Sequence, residues 1–180
     1  MKILITGGCG YKGSVLIPAL LKEGHHVTSI DTQWFGNFLL DHDNFENIQL
    51  DIRNTDHIPV KGKDVIIHLA NIANDPAVEL NPLLSWEVNV LSSYKIANFA
   101  KKSKVKSIIF ASSGSVYGLS DEERVTENAE LVPISEYNKT KMIAERVFLS
   151  FKNDMKIYCV RPATVCGVSP RMRLDVSVNI

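Results

Sequence analysis

Short apolar runs alternate along the chain with longer segments in which apolar residues recur at helical spacing. The short runs predict strands, because β-branched residues are frequent in them and turn residues follow them. The longer segments predict helices, because apolar residues three and four positions apart share one helix face. Strands that alternate with helices pair in parallel through right-handed crossovers. The sequence therefore predicts an α/β fold with a doubly wound parallel sheet.

The same pattern places the individual elements. Strands are predicted over residues 2–6, 27–30, 48–50, 64–70, 107–111 and 156–160. Helices are predicted over residues 12–23, 82–102 and 135–152. Asn81 is expected to cap the second helix and Pro82 to occupy its first turn. Two long polar connections, 31–46 and 118–134, are left, and loops of this length are often functional.

The stretch ITGGCGYKG at residues 5–13 has G-x-G-x-x-G spacing between a predicted strand and a predicted helix. Small residues let the backbone approach a pyrophosphate, and a helix N-terminus offers free N–H groups. Asp31 follows the next strand, where a carboxylate can bind the ribose hydroxyls of NAD and repel the 2′-phosphate of NADP. The alternative is a helix-capping glycine turn with an incidental acid. The order of strand, turn, helix, strand and acid favours the NAD site.

The composition is that of a globular protein without net charge. Its 180 residues favour one domain, and 20 basic residues balance 20 acidic ones, so nothing indicates nucleic acid or an anionic membrane as a partner. The apolar runs are too short for a membrane span or a signal peptide. The three cysteines form no C-x-x-C pair, so we expect no metal site and a reducing, cytoplasmic setting.

Further motifs follow in order along the chain. They are DIR at 51–53, HLAN at 68–71, Asn89-Val90, SSGSVYG at 112–118, YNKTK at 137–141 and RPATVCG at 161–167. Together with the glycine stretch and Asp31, they make the chain resemble the extended short-chain dehydrogenase/reductases, specifically the NAD-dependent nucleotide-sugar epimerase/dehydratase family. The resemblance runs over essentially the whole chain. It implies an NAD-binding Rossmann domain over 1–165 and, over 166–180, the beginning of a substrate-binding region that is largely absent.

The resemblance implies a role for individual residues. The catalytic residues would be Ser113, Tyr137 and Lys141. The cofactor contacts would be Gly7, Gly10, Tyr11, Lys12, Gly13, Asp31, Asp51, Ile52, Leu69, Ala70, Asn71, Asn89, Ser112, Tyr137, Lys141 and Pro162. The substrate contacts would be Ser113, Ser115, Arg171 and Arg173, although the two arginines equally fit a solvated tail. The chain departs from the family pattern at Lys12, usually apolar, and at Asn71, usually alanine.

Tyr137 and Lys141 are four residues apart in a predicted helix, so they share one face. A tyrosine phenol has an unperturbed pKa of about 10, which is too high for a base near neutrality. A lysine ammonium nearby favours the phenolate. Tyr137 is therefore expected to be the general base toward a sugar hydroxyl that Ser113 also binds. His68 is expected to be a core residue rather than a catalytic one.

The resemblance implies epimerisation of a nucleotide-activated sugar, with transient hydride transfer to NAD and return to the opposite face. Dehydratases of this family usually carry an Asp-Glu pair after the catalytic hydroxyl residue, whereas Gly114 and Ser115 follow Ser113 here, so an epimerase is preferred. The alternatives are a reductase or decarboxylase of activated sugars and, because the chain is short, a non-catalytic NAD-binding module.

Relatives also dimerise by packing two helices that correspond to 82–102 and 135–152, so a homodimer is expected. Both helices offer apolar residues for such a contact, namely Trp86, Val90, Ile96, Phe99, Val147 and Phe151. The alternative is that this surface meets only the chain's own sheet.

Overall fold

A computed structural model of the chain describes residues 1–120, 124–175 and 179. A six-stranded sheet lies at its centre, in the order β3-β2-β1-β4-β5-β6, and each neighbouring pair is parallel. The strands are β1 (Lys2–Thr6), β2 (His26–Asp31), β3 (Phe45–Gln49), β4 (Val65–His68), β5 (Ser107–Ala111) and β6 (Lys156–Val160). The strand order reverses between β1 and β4, so the predicted doubly wound α/β fold is confirmed.

Helices cover both faces of the sheet. They are α1 (Gly13–Lys22), α2 (Asp75–Leu80), α3 (Pro82–Trp86), α4 (Ser92–Lys102) and α5 (Glu136–Leu149). A π-helical turn, Glu87–Leu91, joins α3 to α4, and 3₁₀ turns lie at Thr55–His57 and Gly114–Tyr117. As predicted, the side chain of Asn81 caps α3 by accepting a hydrogen bond from the Leu84 N–H.

The segment 82–102 is therefore not one regular helix, as the sequence had suggested. The hydroxyl of Ser92 donates to the carbonyl of Glu87, five residues back, at 3.0 Å, and Ser93 donates to the carbonyl of Asn89 at 2.7 Å. Serine hydroxyls that bond back to helix carbonyls compete with the regular ladder. The resulting wide turn places Asn89 inside the protein, where it is 1% exposed.

The third strand also differs from its prediction, because it begins at Phe45 rather than at residue 48. Residues 45–47 lack a clear apolar pattern, but Phe45 pairs with Val27 of β2 and Ile48 pairs with Ile30. Pairing with a buried neighbour thus extends a strand whose own sequence signal is weak.

Two apolar clusters lie on opposite faces of the sheet. The larger one, under α4 and α5, includes Ile108, Phe110 and Phe148, and the smaller one, under α1, includes Ile3 and Ile17. His68 is 1% exposed and stacks beside Phe110, so its prediction as a core residue is confirmed. Within the part of the chain that the structure describes, no helix is both long and apolar enough to cross a membrane.

Two of the apolar residues expected at a dimer contact are buried within the chain itself. Ile96 and Phe151 pack into the larger cluster of their own chain, so for them the expectation of an intermolecular contact was wrong. Three apolar side chains of the same region that were not among those expected there are exposed, at 70% for Leu83, 50% for Leu91 and 51% for Tyr94.

Candidate functional site

The carboxyl ends of β1, β2, β4 and β5 open onto a cavity of about 550 Å³. Ligands of doubly wound sheets bind at this edge, where the strand order reverses. Most of the predicted site residues line the cavity, namely Gly7, Gly10, Tyr11, Lys12, Gly13, Asp31, Asp51, Ile52, Leu69, Ala70, Asn71, Ser112, Tyr137, Lys141, Arg171 and Arg173. The structure thus brings together residues that are up to 166 positions apart in the chain, from Gly7 to Arg173.

Four predicted site residues, Asn89, Ser113, Ser115 and Pro162, are not among the residues that line the cavity. Asn89 is buried, where its amide accepts from the Ile72 N–H at 2.8 Å and donates to the Thr140 hydroxyl at 3.1 Å. The carbonyl of Pro162 accepts the N–H of Gly114 at 2.8 Å. Asn89 and Pro162 therefore support the loops of the site in this structure.

The glycine turn brings the backbone of β1 close to the loop after β4. Gly7 has φ of +75°, and a Cβ at that position would lie 2.6 Å from the Ala70 nitrogen. A Cβ at Gly13 would lie 2.6 Å from the Cα of Gly8, so α1 could not begin this close to the turn with a larger residue. The first N–H groups of α1 therefore face a cradle that side chains leave open.

The Asp31 carboxylate lies at the end of β2 and connects two segments of the cavity wall. One oxygen accepts the Cys9 N–H at 3.0 Å, and the other accepts the Gln33 N–H at 2.7 Å. These two bonds orient the carboxylate at the cavity while leaving lone pairs for further donors. An acid held in this way can accept hydrogen bonds from a pair of ribose hydroxyls.

Lys141 is buried at 3% exposure and lies on α5, one turn after Tyr137. Its Nζ donates to the side-chain amide oxygen of Asn71 at 3.4 Å and lies 4.4 Å from the centre of the Phe110 ring. Burial, and then the positive charge of Lys12, lower the pKa of Lys141 to about 7. Asn71, a departure from the family pattern, thus supplies a partner for the lysine.

Tyr137 lies in the first turn of α5, which Ser135 caps by accepting the Asn138 N–H at 3.2 Å. Burial raises the pKa of the Tyr137 phenol, while a hydrogen bond with Ser113 lowers it. Without a ligand, the site therefore disfavours both the phenolate and the ammonium, because desolvation opposes each charged form. Screening of the charge on Lys12 by a bound anion would favour the ammonium of Lys141.

The two arginines predicted as substrate contacts reach the cavity. The Arg171 guanidinium stacks on the Phe35 ring at 4.0 Å. Arg173 pairs with Asp175 at 2.5 Å, and that carboxylate also accepts from the Asn74 amide at 2.6 Å. These contacts favour the site interpretation over a solvated tail.

Sequence reasoning missed several residues of the cavity wall. Among them are Trp34, Phe35, Asn74, Ala77 and Asp175. The aromatic residues of the 31–46 connection were the available signal for the first two. Nothing local marked Asn74 and Ala77 at the start of α2, or Asp175, which reaches the cavity through the C-terminal segment.

Residues 1–120, 124–175 and 179 contain no group of three or more His, Cys, Asp or Glu side chains that could hold a metal ion. The chemistry that the cavity can perform with its own groups is proton transfer at Tyr137, supported by a neighbouring cation and a neighbouring hydroxyl. Its glycine cradle and ribose-binding acid can hold a dinucleotide.

The fold and this site define an α/β domain that binds a nucleotide cofactor at its switch point. The chain belongs to the NAD-dependent epimerase/dehydratase family, whose model matches residues 3–178. This finding confirms the resemblance on which the expected site residues depend.

Similar proteins include enzymes with different reactions. The chain is 29% identical over 175 residues to a UDP-glucose 4-epimerase of Lactobacillus helveticus, covering 94% of this chain and 53% of the relative. It is 30% identical over 187 residues to UDP-glucuronic acid decarboxylase 1 of Xenopus tropicalis, covering 97% and 43%. Among solved structures, MoeE5 in complex with UDP-glucuronic acid and NAD has a TM-score of 0.79 and 25% identity, covering 89% of this chain and 54% of MoeE5. The chain thus spans about half the length of these relatives.

Proposed function

We propose that this chain carries the cofactor site and the catalytic residues of an NAD-dependent nucleotide-sugar epimerase. The observation that best supports this function is the meeting of the glycine turn, Asp31 and the Tyr137–Lys141 pair around one cavity. A dinucleotide site next to a candidate base is compatible with many oxidoreductases. The family narrows the substrate to nucleotide sugars, because the similar enzymes are named for reactions of UDP-sugars.

The residues present fit NAD. Gly7 and Gly13 leave open the space that a pyrophosphate would need beside the N-terminus of α1, and Asp31 can accept the adenosine ribose hydroxyls. The Lys141 ammonium would hold the nicotinamide ribose, as the resemblance implies. When bound, NAD would supply the hydride acceptor and donor for the sugar carbon.

Tyr137 would remove the proton from the sugar hydroxyl and later return it. The nearby Lys141 charge would stabilise the phenolate, and the Ser113 hydroxyl would donate to the sugar oxygen as it becomes a carbonyl. Tyr137 and Lys141 line the cavity, and Ser113 directly follows Ser112, which also lines it, so the three side chains can act on one substrate.

Ser115 supports epimerisation over dehydration. It stands where dehydratases of the family carry an acid, and its hydroxyl donates to the Asn138 amide oxygen at 2.6 Å. A serine held in this way cannot protonate a leaving hydroxyl as a carboxylic acid does. The decarboxylase of Xenopus tropicalis, 30% identical to this chain, keeps nucleotide-sugar decarboxylation as the second candidate.

The substrate proposal rests on the arginines of the C-terminal segment. Arg171 and Arg173 line the same cavity as Tyr137, and guanidinium groups suit the oxygens of a diphosphate. A nucleotide diphosphate sugar would thus place its phosphates near the arginines and its sugar near the phenol.

A cytoplasmic homodimer completes the proposal. Cys9, Cys159 and Cys166 all have free thiols, as is usual in a reducing compartment. Exposed Leu83, Leu91 and Tyr94 offer apolar surface to a second copy. Sedimentation of Leu91→Lys beside the unchanged chain tests the dimer, and equal mass for both at the same concentration contradicts this contact.

Calorimetric titration with NAD⁺ and NADP⁺ tests the cofactor site. We expect NAD⁺ to bind more tightly than NADP⁺, and Asp31→Ala to weaken NAD⁺ binding by about ten-fold, the loss of one or two hydrogen bonds. Asp41→Ala, at an exposed position of the same connection, is the matched control and should bind as before. If neither dinucleotide binds, the proposed function of these 180 residues is wrong.

Nucleotide sugars test the reaction. Tyr137→Phe should abolish any interconversion of UDP-hexose epimers while leaving NAD⁺ binding within a few-fold of the unchanged chain. Release of CO₂ from a nucleotide-activated uronic acid would favour the decarboxylase. Binding of NAD⁺ without turnover of any sugar would favour the non-catalytic module.

A further inference from the structure

The segment after β3 brings a second carboxylate to the cavity, beside Asp31. The Leu50 N–H donates to the Asp31 backbone carbonyl at 2.9 Å, and Asp51 follows in the cavity wall. Ile52 and Val88, which also line the cavity, are 5% and 7% exposed. This end of the cavity therefore combines apolar side chains with one acid.

The order of the strands indicates which part of a dinucleotide would lie there. The glycine turn follows β1, Asp31 ends β2 and Asp51 follows β3, and these three strands are neighbours in the sheet. A pyrophosphate at the glycine turn and a ribose at Asp31 lead in this direction along the sheet edge. A nucleobase attached to that ribose would therefore lie against Asp51.

The carboxylate of Asp51 is held by Arg53, two residues further on. Its Oδ1 accepts the Arg53 backbone N–H at 2.8 Å, and its Oδ2 accepts from Nη2 at 2.7 Å. The Nε group lies between the two oxygens, at 3.2 Å from Oδ1 and 3.0 Å from Oδ2. Three N–H groups of Arg53 thus fix the plane of the carboxylate, and they leave about one of its four lone-pair directions for a further donor.

Arg53 is itself held from another segment of the chain. Its Nη1 donates to the Glu87 carboxylate at 3.3 Å, in the π-helical turn that also carries Val88. The side chains of Arg53 and Glu87 are 41% and 43% exposed, and ion pairs at this exposure contribute little to stability. The contacts do give Asp51 a fixed direction, because a guanidinium fork binds both carboxylate oxygens at once.

We propose that Arg53 is a positioning residue that directs the Asp51 carboxylate toward the exocyclic amino group of the cofactor's adenine; this role rests on the proposed function. The amino group is an N–H donor, which the remaining lone pair of the carboxylate can accept. Hypoxanthine carries a carbonyl oxygen at the same place, so lone pairs would face lone pairs. Arg53 thus acts through Asp51 on the choice of nucleobase and touches neither the sugar nor the reacting atoms.

The ionisation of Asp51 reports whether Arg53 holds it in solution. Hydrogen bonds from the Arg53 side chain keep the pKa of the Asp51 carboxyl below its ordinary value, although burial raises it. Arg53→Gln should therefore raise this pKa. NMR titration of the cofactor-free chain, labelled with ¹³C at the aspartate carboxyls, measures the change, with Asp51→Asn to assign the signal. Arg146→Gln, at an exposed position of α5, is the matched control.

Calorimetry with NAD⁺ and with nicotinamide hypoxanthine dinucleotide measures the choice of base. We expect the unchanged chain to prefer NAD⁺ by about ten-fold or more, the contribution of one hydrogen bond to a charged group. Asp51→Asn should lose this preference, because an amide can turn either its oxygen or its N–H groups toward the base. Arg53→Gln and Arg53→Lys should each reduce the preference by about three-fold or more, because lysine keeps the charge but not the fork.

The positioning role is overturned if Arg53→Gln leaves either the pKa of Asp51 or the preference for NAD⁺ unchanged. It is also overturned if the variant weakens both dinucleotides equally, as a general loosening of the loop would. Equal binding of both dinucleotides to the unchanged chain contradicts the recognition of adenine by Asp51, while the proposed function stands. If neither dinucleotide binds, the proposed function fails and the adenine role fails with it.

Discussion

The Nδ1 atom of His68 lies 2.6 Å from the hydroxyl of Thr6. That hydroxyl accepts the Ala70 N–H at 3.2 Å, so its own proton is free for the imidazole. On the other side, Nε2 lies 3.2 Å from the hydroxyl of Ser93, whose proton goes to the Asn89 carbonyl at 2.7 Å. Nε2 therefore carries the proton, and His68 is a neutral donor and acceptor between β1 and α4.

The neutral His68 makes stability depend on pH. Burial, and then the positive charge of Lys141, lower its pKa from 6.5 to about 3. As the pH falls, the unfolded chain binds a proton at His68 before the folded chain does. The contribution of the neutral His68 to the free energy of unfolding is therefore complete above pH 6.5 and is lost progressively as the pH falls from there toward about 3. The loss should be about 1.4 kcal/mol per pH unit at most.

Denaturant unfolding from about pH 4 to about pH 8 measures this slope in the unchanged chain and in His68→Gln, which cannot titrate. We expect a shallower decline of the free energy of unfolding in the variant on the acid side. His26→Gln, at an exposed position, is the control. Identical pH profiles for the unchanged chain and His68→Gln would contradict the prediction.

The ion pair of Glu145 and Arg161 should be costly to break. The carboxylate is 1% exposed, and the guanidinium bonds both of its oxygens, at 2.9 and 2.7 Å. Arg161→Met should lower the free energy of unfolding by about 3 to 5 kcal/mol, because Glu145 would stay buried without its partner. The double change Glu145→Leu with Arg161→Met should recover much of that loss.

Arg146→Met, at the exposed neighbouring position of α5, is the control for Arg161→Met in the same denaturant series. If Arg161→Met and Arg146→Met unfold at the same denaturant concentration, the predicted cost of leaving Glu145 buried without its partner is contradicted.

Gly7→Ala should weaken NAD⁺ binding, because its Cβ would collide with the loop after β4 in addition to straining the backbone. Gly7 and Gly24 have φ of +75° and +76°, but only a Cβ at Gly7 meets other atoms, 2.6 Å from the Ala70 nitrogen. Both alanine variants should lose about 1 kcal/mol to the left-handed backbone conformation. Gly7→Ala should lose more and should also weaken NAD⁺ binding in calorimetry, whereas Gly24→Ala should bind normally.

Lys12→Leu should raise the pKa of Lys141 in the cofactor-free chain. Lys12 is the second cause, after burial, that lowers this pKa to about 7, and leucine removes its charge while keeping an apolar side chain at the position. NMR titration of the Lys141 side chain measures the change, with Lys22→Leu at the far end of α1 as control. An unchanged or lowered pKa of Lys141 in Lys12→Leu contradicts the coupling.

Several parts of the site could be predicted because they depend on neighbours in the sequence. The glycine spacing, an acid at the end of the next strand and the four-residue interval of Tyr137 and Lys141 reflect the geometry of one turn or one helix. The bounds of β1, β5 and β6 follow from local apolar runs in the same way. These features are found where the sequence places them.

Tertiary structure decided the contacts between segments that are distant in the chain. The amide of Asn138 reaches Ser115, and Arg171 stacks on Phe35 across 136 positions. Ile96 is buried in the larger apolar cluster, although its helical spacing alone would equally allow a contact with a second copy. Local spacing determines which side chains share a face, but only the packing of sheet and helices determines what that face meets, because burial and hydrogen bonding depend on atoms from the whole chain.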